Sequence, residues 1–176
     1  VKPVTSIPQE KMAEWNVPVD EGGGKPLTLE EWHRAIETNL TSAFIFAQAV
    51  GPYMIKQKKG KVINISSTDD EEGFPCMSAY SASKAGLSSF TRVLASEWAP
   101  FNVNVNAIAP GAIITEFSVA WVEDPKMMEF EVSLVPLGRL GEPREVALLA
   151  LFLASAASNY ITGQVFTIDG GAMGQG

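Results

Sequence analysis

Lys61-Val62-Ile63-Asn64-Ile65-Ser66, preceded by Gly60, is short, β-branched and bounded by polar residues, which suits a strand better than a helix. Downstream, Ser78 to Trp98 reads as a helix with Ala, Gly and Ser along much of its first half, stopping before Pro100. Val103 to Ala109 is a second strand, ended by Pro110-Gly111. After a long irregular segment from Ala112 to Leu140, Glu142-Pro143-Arg144 opens a helix with proline near its first position, continuing to about Ala156. Gln164 to Ile168 is the last strand, closed by Asp169-Gly170-Gly171. Upstream, Thr28-Leu29-Glu30-Glu31 has the spacing of a capping box, and Leu29, Trp32, Ile36, Leu40, Ala43 and Ala47 form an apolar stripe. That helix should run to about Gln57, with a bend near Gly51-Pro52. Alternating helices and strands predict parallel pairing with right-handed crossovers, an α/β fold of the doubly wound kind.

The chain of 176 residues has a length suited to one domain or a large part of one. Its 46% apolar and 19% charged residues are ordinary globular usage. A formal charge of -7, with no basic cluster, makes nucleic acid an unfitting partner. One cysteine, Cys76, and one histidine, His33, cannot make an intrachain disulfide or a zinc site of the usual ligand count, so no metal is expected. His33 reads as a solvated residue and Cys76 as a packing residue. The longest apolar stretch, Val146 to Ala157, is far short of the roughly 20 residues that span a bilayer. With no basic region followed by an apolar run at the start, a cytoplasmic protein without a membrane association is the expectation. Residues 1–26 carry four prolines and no sustained period, and read as an irregular segment ahead of a single unit over 27–176.

In an open parallel sheet, ligands bind beyond the carboxyl ends of the strands. There the sequence puts Ser66-Ser67, Pro110-Gly111 and the helix opening with Tyr80-Ser81-Ala82-Ser83-Lys84. Tyr80 and Lys84, four apart, share a helix face, and a nearby cation favours the phenolate, lowering a tyrosine pKa from about 10 toward working pH. Asn39 lies beside the apolar stripe and needs polar partners if it is buried.

The pair is one of several features that occur together, in order. Thr38-Asn39-Leu40, Val62-Ile-Asn-Ile-Ser-Ser67, Tyr80-x-x-x-Lys84, Asn106-Ala-Ile-Ala-Pro-Gly111, Pro136-Leu-Gly-Arg139 and Ile161-Thr-Gly-Gln with Ile168-Asp-Gly-Gly171 resemble the classical short-chain dehydrogenase/reductase family over about Leu27 to Gly176. The resemblance implies a Rossmann-like sheet, NAD or NADP, and hydride transfer to or from a secondary alcohol or ketone such as a sugar, polyol or oxoacyl compound. It implies Tyr80 as general acid/base, with Lys84 lowering its pKa and bonding the nicotinamide ribose. Ser67, favoured by spacing over Ser66, would hold the substrate oxygen, and Asn39 would position a water that relays protons to Lys84. Pro110, Gly111, Ile113 and Thr115 would wrap the nicotinamide carboxamide.

Two departures stand out. The family's Gly-rich cofactor-binding half has no match: Gly22-Gly23-Gly24 follows no strand, and Trp15-Asn16-Val17-Pro18 stands where Asn-Asn-Ala-Gly is expected, so the fold is expected to be incomplete. Asp69-Asp70-Glu71-Glu72 follows the serine where small residues and a glycine are usual, and reads as a solvated acidic loop or, alternatively, a changed pocket mouth. An inactive relic acting as an interaction or structural subunit is the alternative function. Ala112 to Leu140, with Phe117, Trp121, Met127, Met128 and Phe130, is expected to act as a mobile lid and substrate wall or, alternatively, to cap the core. A homodimer or homotetramer is expected, pairing through the helices 28–57 and 78–98, with Gly86 marking a close approach.

Overall fold

The computed structural model describes residues 2–8, 11–12, 24–118 and 123–175. Its sheet has three parallel strands, β1 (Gly60–Ile65), β2 (Val103–Pro110) and β3 (Val165–Ile168), with β2 in the middle. Ile65 pairs with Ile108 and Pro110 with Ile168, so the carboxyl ends of the strands finish along one rim. Among the described residues five α-helices accompany them: α1 (Leu29–Ile36), α2 (Ser42–Gln57), α3 (Ser78–Trp98), α4 (Pro125–Ser133) and α5 (Pro143–Ala154). This is an incomplete Rossmann-like α/β fold, as the alternation of elements predicts.

Residues on alternate sides of β2 are buried together, the signature of a strand covered on both faces. On one face Val103 and Val105 pack with Ala47 of α2 and with Leu94, Ala95 and Trp98 of α3. On the other, α5 lies against β1 and β2, and Lys61 Nζ donates to Ser158 Oγ just beyond α5 at 3.1 Å. The buried amide of Asn106 has a partner at each polar atom: its Nδ2 donates to the Ile161 carbonyl at 3.0 Å and its Oδ1 accepts from Gln164 N–H at 3.1 Å.

Local chemistry accounts for the helix starts. The capping box forms as expected, Thr28 Oγ1 accepting from Glu31 N–H at 3.2 Å while Glu31 accepts from Thr28 N–H at 2.9 Å. Lys2 also donates to Glu31 at 2.8 Å, and these bonds, that of Lys2 first, hold the carboxyl at about 2. Residues ahead of Leu27 are tied to the body here too, since Leu27 N–H donates to Pro3 O at 2.7 Å. Residues 13–23, which include the Trp15-Asn16-Val17-Pro18 stretch and Gly22-Gly23, lie outside the described residues. In α5, Pro143 occupies the first turn and Glu142 and Glu145 form a second capping box.

Two expectations need correction, and the close approach at Gly86 is met from within the chain. The long helix departs from α geometry not at Gly51-Pro52 but in a π-helical turn, Glu37–Thr41, and α2 continues through Pro52. Gly51 instead admits the Trp98 ring, which a Cβ would approach to 2.7 Å. The close approach expected at Gly86 is made by Leu40, 2.8 Å from where its Cβ would be. Within Ala112 to Leu140 there is a regular helix, α4, opened by Asp124 Oδ1 accepting from Lys126 N–H at 2.9 Å and by Pro125; residues 119–122, with Trp121, lie outside the described residues.

Candidate active site

At the carboxyl end of β1, consecutive serines diverge because successive side chains of an extended chain point opposite ways. Ser66 turns inward, its Oγ 2.7 Å from Ser88 Oγ, 3.0 Å from Asp70 Oδ2 and 3.1 Å from the Lys84 carbonyl. These partners commit its one hydroxyl proton, and at 2% exposure it is turned away from the open site. Ser67 caps the short 3-10 turn Thr68–Asp70, its Oγ accepting from Asp69 N–H at 3.2 Å. Its hydroxyl proton is thereby left to donate elsewhere, and Ser67 stands close enough to the Tyr80 phenol to favour its ionised form.

Tyr80 sits in the first turn of α3 and Lys84 one turn further on, with Nζ 5.5 Å from the Tyr80 ring centre. The ammonium does not reach for the phenol oxygen; it donates to the Ile65 carbonyl at 2.8 Å. Burial pushes the Tyr80 phenol above its ordinary value, Ser67 pulls it down, and Asp69 adds to the rise. The direction is opposite to the one inferred from the Tyr80-Lys84 spacing, because desolvation of a half-buried phenol outweighs a cation that bonds elsewhere. Burial also pushes Lys84 down, and Asp69 opposes that shift.

The acidic stretch is a solvated loop only in part. Asp69 is half-buried in the site, its carboxyl pushed up by burial and then by Glu72 and Asp70, with Lys84 pulling the other way. Glu131 of α4 is raised by its own burial and by Asp69, so α4 brings a second carboxyl toward this side of the site. Asp70 accepts from Ser66 and from Ser88. Glu71 is exposed.

Asn39 occupies the π-helical turn and donates from Nδ2 to Ser83 Oγ at 3.0 Å; Ser83 in turn donates to the Tyr80 carbonyl at 2.6 Å. It thus braces the first turn of α3 beside Lys84 without touching it. Asn39 and Lys84 both line a cleft of about 420 Å³ that runs between α2 and the open edge of β1, past Ile63 and Ile65.

At the end of β2, Gly111 N–H donates to Ile168 O at 3.0 Å, and a Cβ there would come within 2.8 Å of Asp169 Cβ, so the close approach of the β3 end requires glycine. Ile114 N–H and the Ala112 carbonyl make a bridge to Gly141, which turns the Ile113 N–H to the opposite side. Ser118, a buried residue that no sequence motif singles out, ties this loop by donating to the Ile113 and Thr115 carbonyls and accepting from Thr115 N–H at 2.8 Å. Thr115 itself is exposed. His33 lies on the exposed side of α1, and burial pushes the Cys76 thiol up, which keeps it a poor nucleophile.

A family model described as enoyl-(acyl carrier protein) reductase matches residues 19–173. A 3-oxoacyl-[acyl-carrier-protein] reductase of Thermotoga maritima is 47% identical over 142 residues, 81% of this chain and 57% of that protein. The chain belongs to the short-chain dehydrogenase/reductase family. This short-chain dehydrogenase/reductase is also 46% identical over 147 residues to an NAD-dependent glycerol dehydrogenase of Listeria innocua, with 81% of this chain and 56% of the relative covered. A gluconate 5-dehydrogenase from Burkholderia cenocepacia, solved in complex with NADP and tartrate, matches with a TM-score of 0.83 and 35% identity over 85% of this chain and 59% of that one. The chain spans a little over half the length of the curated relatives it matches.

The donor set at the rim suits the nicotinamide end of a dinucleotide: an ammonium and a phenol on α3, and a peptide N–H at Ile113 turned off its bridge. Among the described residues there is no Gly-rich turn leading from a strand into a helix to seat a pyrophosphate.

Proposed function

We propose that residues 27–176 are the catalytic and substrate-binding part of a nicotinamide-dependent oxidoreductase acting on a secondary alcohol or ketone, with residues 1–26 a segment ahead of it. The observation that carries this reading is the convergence at the strand rim of Ser67, just past the end of β1, with Tyr80 and Lys84 of α3, Lys84 Nζ lying 5.5 Å from the Tyr80 ring centre and donating to the Ile65 carbonyl at 2.8 Å.

Bound NAD or NADP supplies the hydride donor or acceptor. In the reducing direction, Tyr80 gives its phenolic proton to the carbonyl oxygen as the carbon receives the hydride, and in the oxidising direction it takes the proton back. A phenol held protonated by burial is ready to donate. The Ser67 hydroxyl turns its one proton to the substrate oxygen and holds it. Lys84 bonds the nicotinamide ribose, and Asn39 positions a water that relays protons to Lys84 in the cleft they share. Pro110, Gly111, Ile113 and Thr115 wrap the carboxamide. Relatives named as glycerol, gluconate and 3-oxoacyl-carrier enzymes support a sugar, polyol or oxoacyl substrate.

The test is Tyr80→Phe, with turnover and cofactor binding measured on the same preparation. Turnover should fall roughly 100-fold to 10,000-fold, the range for loss of a positioned acid, while cofactor affinity stays within a few-fold. Undiminished turnover would overturn the mechanism, and a chain that binds neither NAD nor NADP would favour the structural-subunit reading.

Phe44, Phe46 and Tyr53 of α2 and Val93 of α3 are exposed, an apolar surface suited to pairing two copies as a homodimer or homotetramer. Light scattering at micromolar concentration should give at least twice the chain mass; a stable monomer would count against it. Among the described residues no helix is long and apolar enough to cross a membrane.

A further inference from the structure

We propose that Asp70 is a positioning residue for Ser67, clamping the end of β1 to the middle of α3 and so setting where the Ser67 hydroxyl stands relative to Tyr80. This rests on the reading of Ser67 and Tyr80 given above and concerns how that pair is held.

The turn that carries Ser67 is closed at both ends. At its start, Asp69 N–H donates to Ser67 Oγ at 3.2 Å, which orients the hydroxyl. At its finish, Asp70 N–H donates back to the Ser67 carbonyl at 3.2 Å, while the Asp70 carboxylate reaches across to α3. There it accepts from Ser88 Oγ and, at 3.0 Å, from Ser66 Oγ on the adjoining strand end. Both serines are 2% exposed, so these are charge-assisted bonds in a site with little competing water. Ser66 Oγ also lies 3.1 Å from the Lys84 carbonyl, which makes the anchor points on α3 Lys84 and Ser88, one and two helical turns beyond Tyr80. A helix transmits that position as a rigid rod. The carboxylate of Asp70 is thus a side-chain tie between the turn that presents Ser67 and the helix that presents Tyr80, beside the Lys84 bond to the Ile65 carbonyl and the Ser66-Ser88 contact. Its neighbour Asp69 faces the reacting groups, whereas Asp70 faces the scaffold.

The test uses the full chain labelled with [ζ-13C]tyrosine, whose Tyr80 resonance at neutral pH reports the hydrogen bond at the phenol oxygen without requiring turnover. Ser67→Ala defines the displacement caused by losing that bond. In a folded Asp70→Ala protein the Tyr80 resonance should move in the same direction by most of that displacement, with Tyr53 and Tyr160 unmoved. Asp70→Asn, which keeps one acceptor oxygen, should restore a large part of the original position. Where Asp70→Ala does not fold, Ser88→Ala takes its place, with a smaller displacement of the same sign. A folded Asp70→Ala or Ser88→Ala protein with Tyr80 unmoved would overturn the proposal, because a role confined to stability leaves that resonance where it was. No displacement in Ser67→Ala would overturn the Ser67-Tyr80 reading itself, and the proposal with it.

Discussion

β2 and β1 lie side by side in one sheet, yet their surroundings differ. β2 is flanked by a strand on each side and by helices on both faces, and Val103, Val105, Ala107, Ile108 and Ala109 are all almost inaccessible. Among the described residues β1 has a paired neighbour on one side only; it faces the cleft beside α2 and ends in Ile65 at 47% exposure. The difference separates two tasks. β2 carries the packing that holds the fold, while β1 carries at its end the serine around which the site is arranged.

The strongest way to break that division is to truncate matched residues. Ile108 and Ile65 are register partners, so Ile108→Ala should cost about 3 kcal/mol, in the range for emptying a buried site, and Ile65→Ala less than about 1 kcal/mol. Urea unfolding measures both, and equal costs would erase the distinction. A smaller contrast sits in the polar residues. Asn106→Ala would empty a site that is 1% exposed and remove the acceptor of the Gln164 N–H, although the Ile161 carbonyl keeps its bond from Asn104 Nδ2 at 2.9 Å, and should cost roughly 1–3 kcal/mol. Asn64→Ala removes a 2.8 Å bond to Thr91 Oγ1, but Thr91 keeps its own bond to the Leu87 carbonyl, so the loss should be smaller. If Asn64→Ala proves the costlier of the two, β1 holds the fold more firmly than its exposure implies.

The smallest effect concerns α5, which packs against both strands. At its start Glu145 is held at about 2, first by Arg139, whose guanidinium donates at 2.7 and 2.9 Å, and then by the Glu142 N–H. A carboxyl lowered on folding adds stability that is complete above its unfolded value near 4.5 and is lost as pH falls through the folded one. Glu145→Gln should therefore flatten the acid limb of the stability curve between about pH 4.5 and 2 and leave the curve's shape at neutral pH unchanged. The pair is exposed, so the change should be slight. An acid limb identical to that of the unmodified chain would assign its slope to other carboxyls, such as Glu31.

What the sequence by itself determined is whatever rests on near neighbours along the chain. The Thr28-Glu31 capping box, the proline-led start of α5, the β-branched strands and the alternation that makes the sheet parallel all follow from residues within a few positions of each other. So does the placing of Tyr80 and Lys84 on one face of α3, since a helix brings residues four apart together. Tertiary structure decided the rest. Whether the phenol of Tyr80 shifts up or down depends on burial and on Asp69, which reaches the site only after β1 and α3 have packed. The π-helical turn at Asn39, the seat of Gly86 against Leu40, the loop tie by Ser118 and the two opposed directions of Asp69 and Asp70 leave no periodic trace. Each is a balance of desolvation and hydrogen bonding between segments far apart in the chain, and pattern along a sequence records only the local part of that balance.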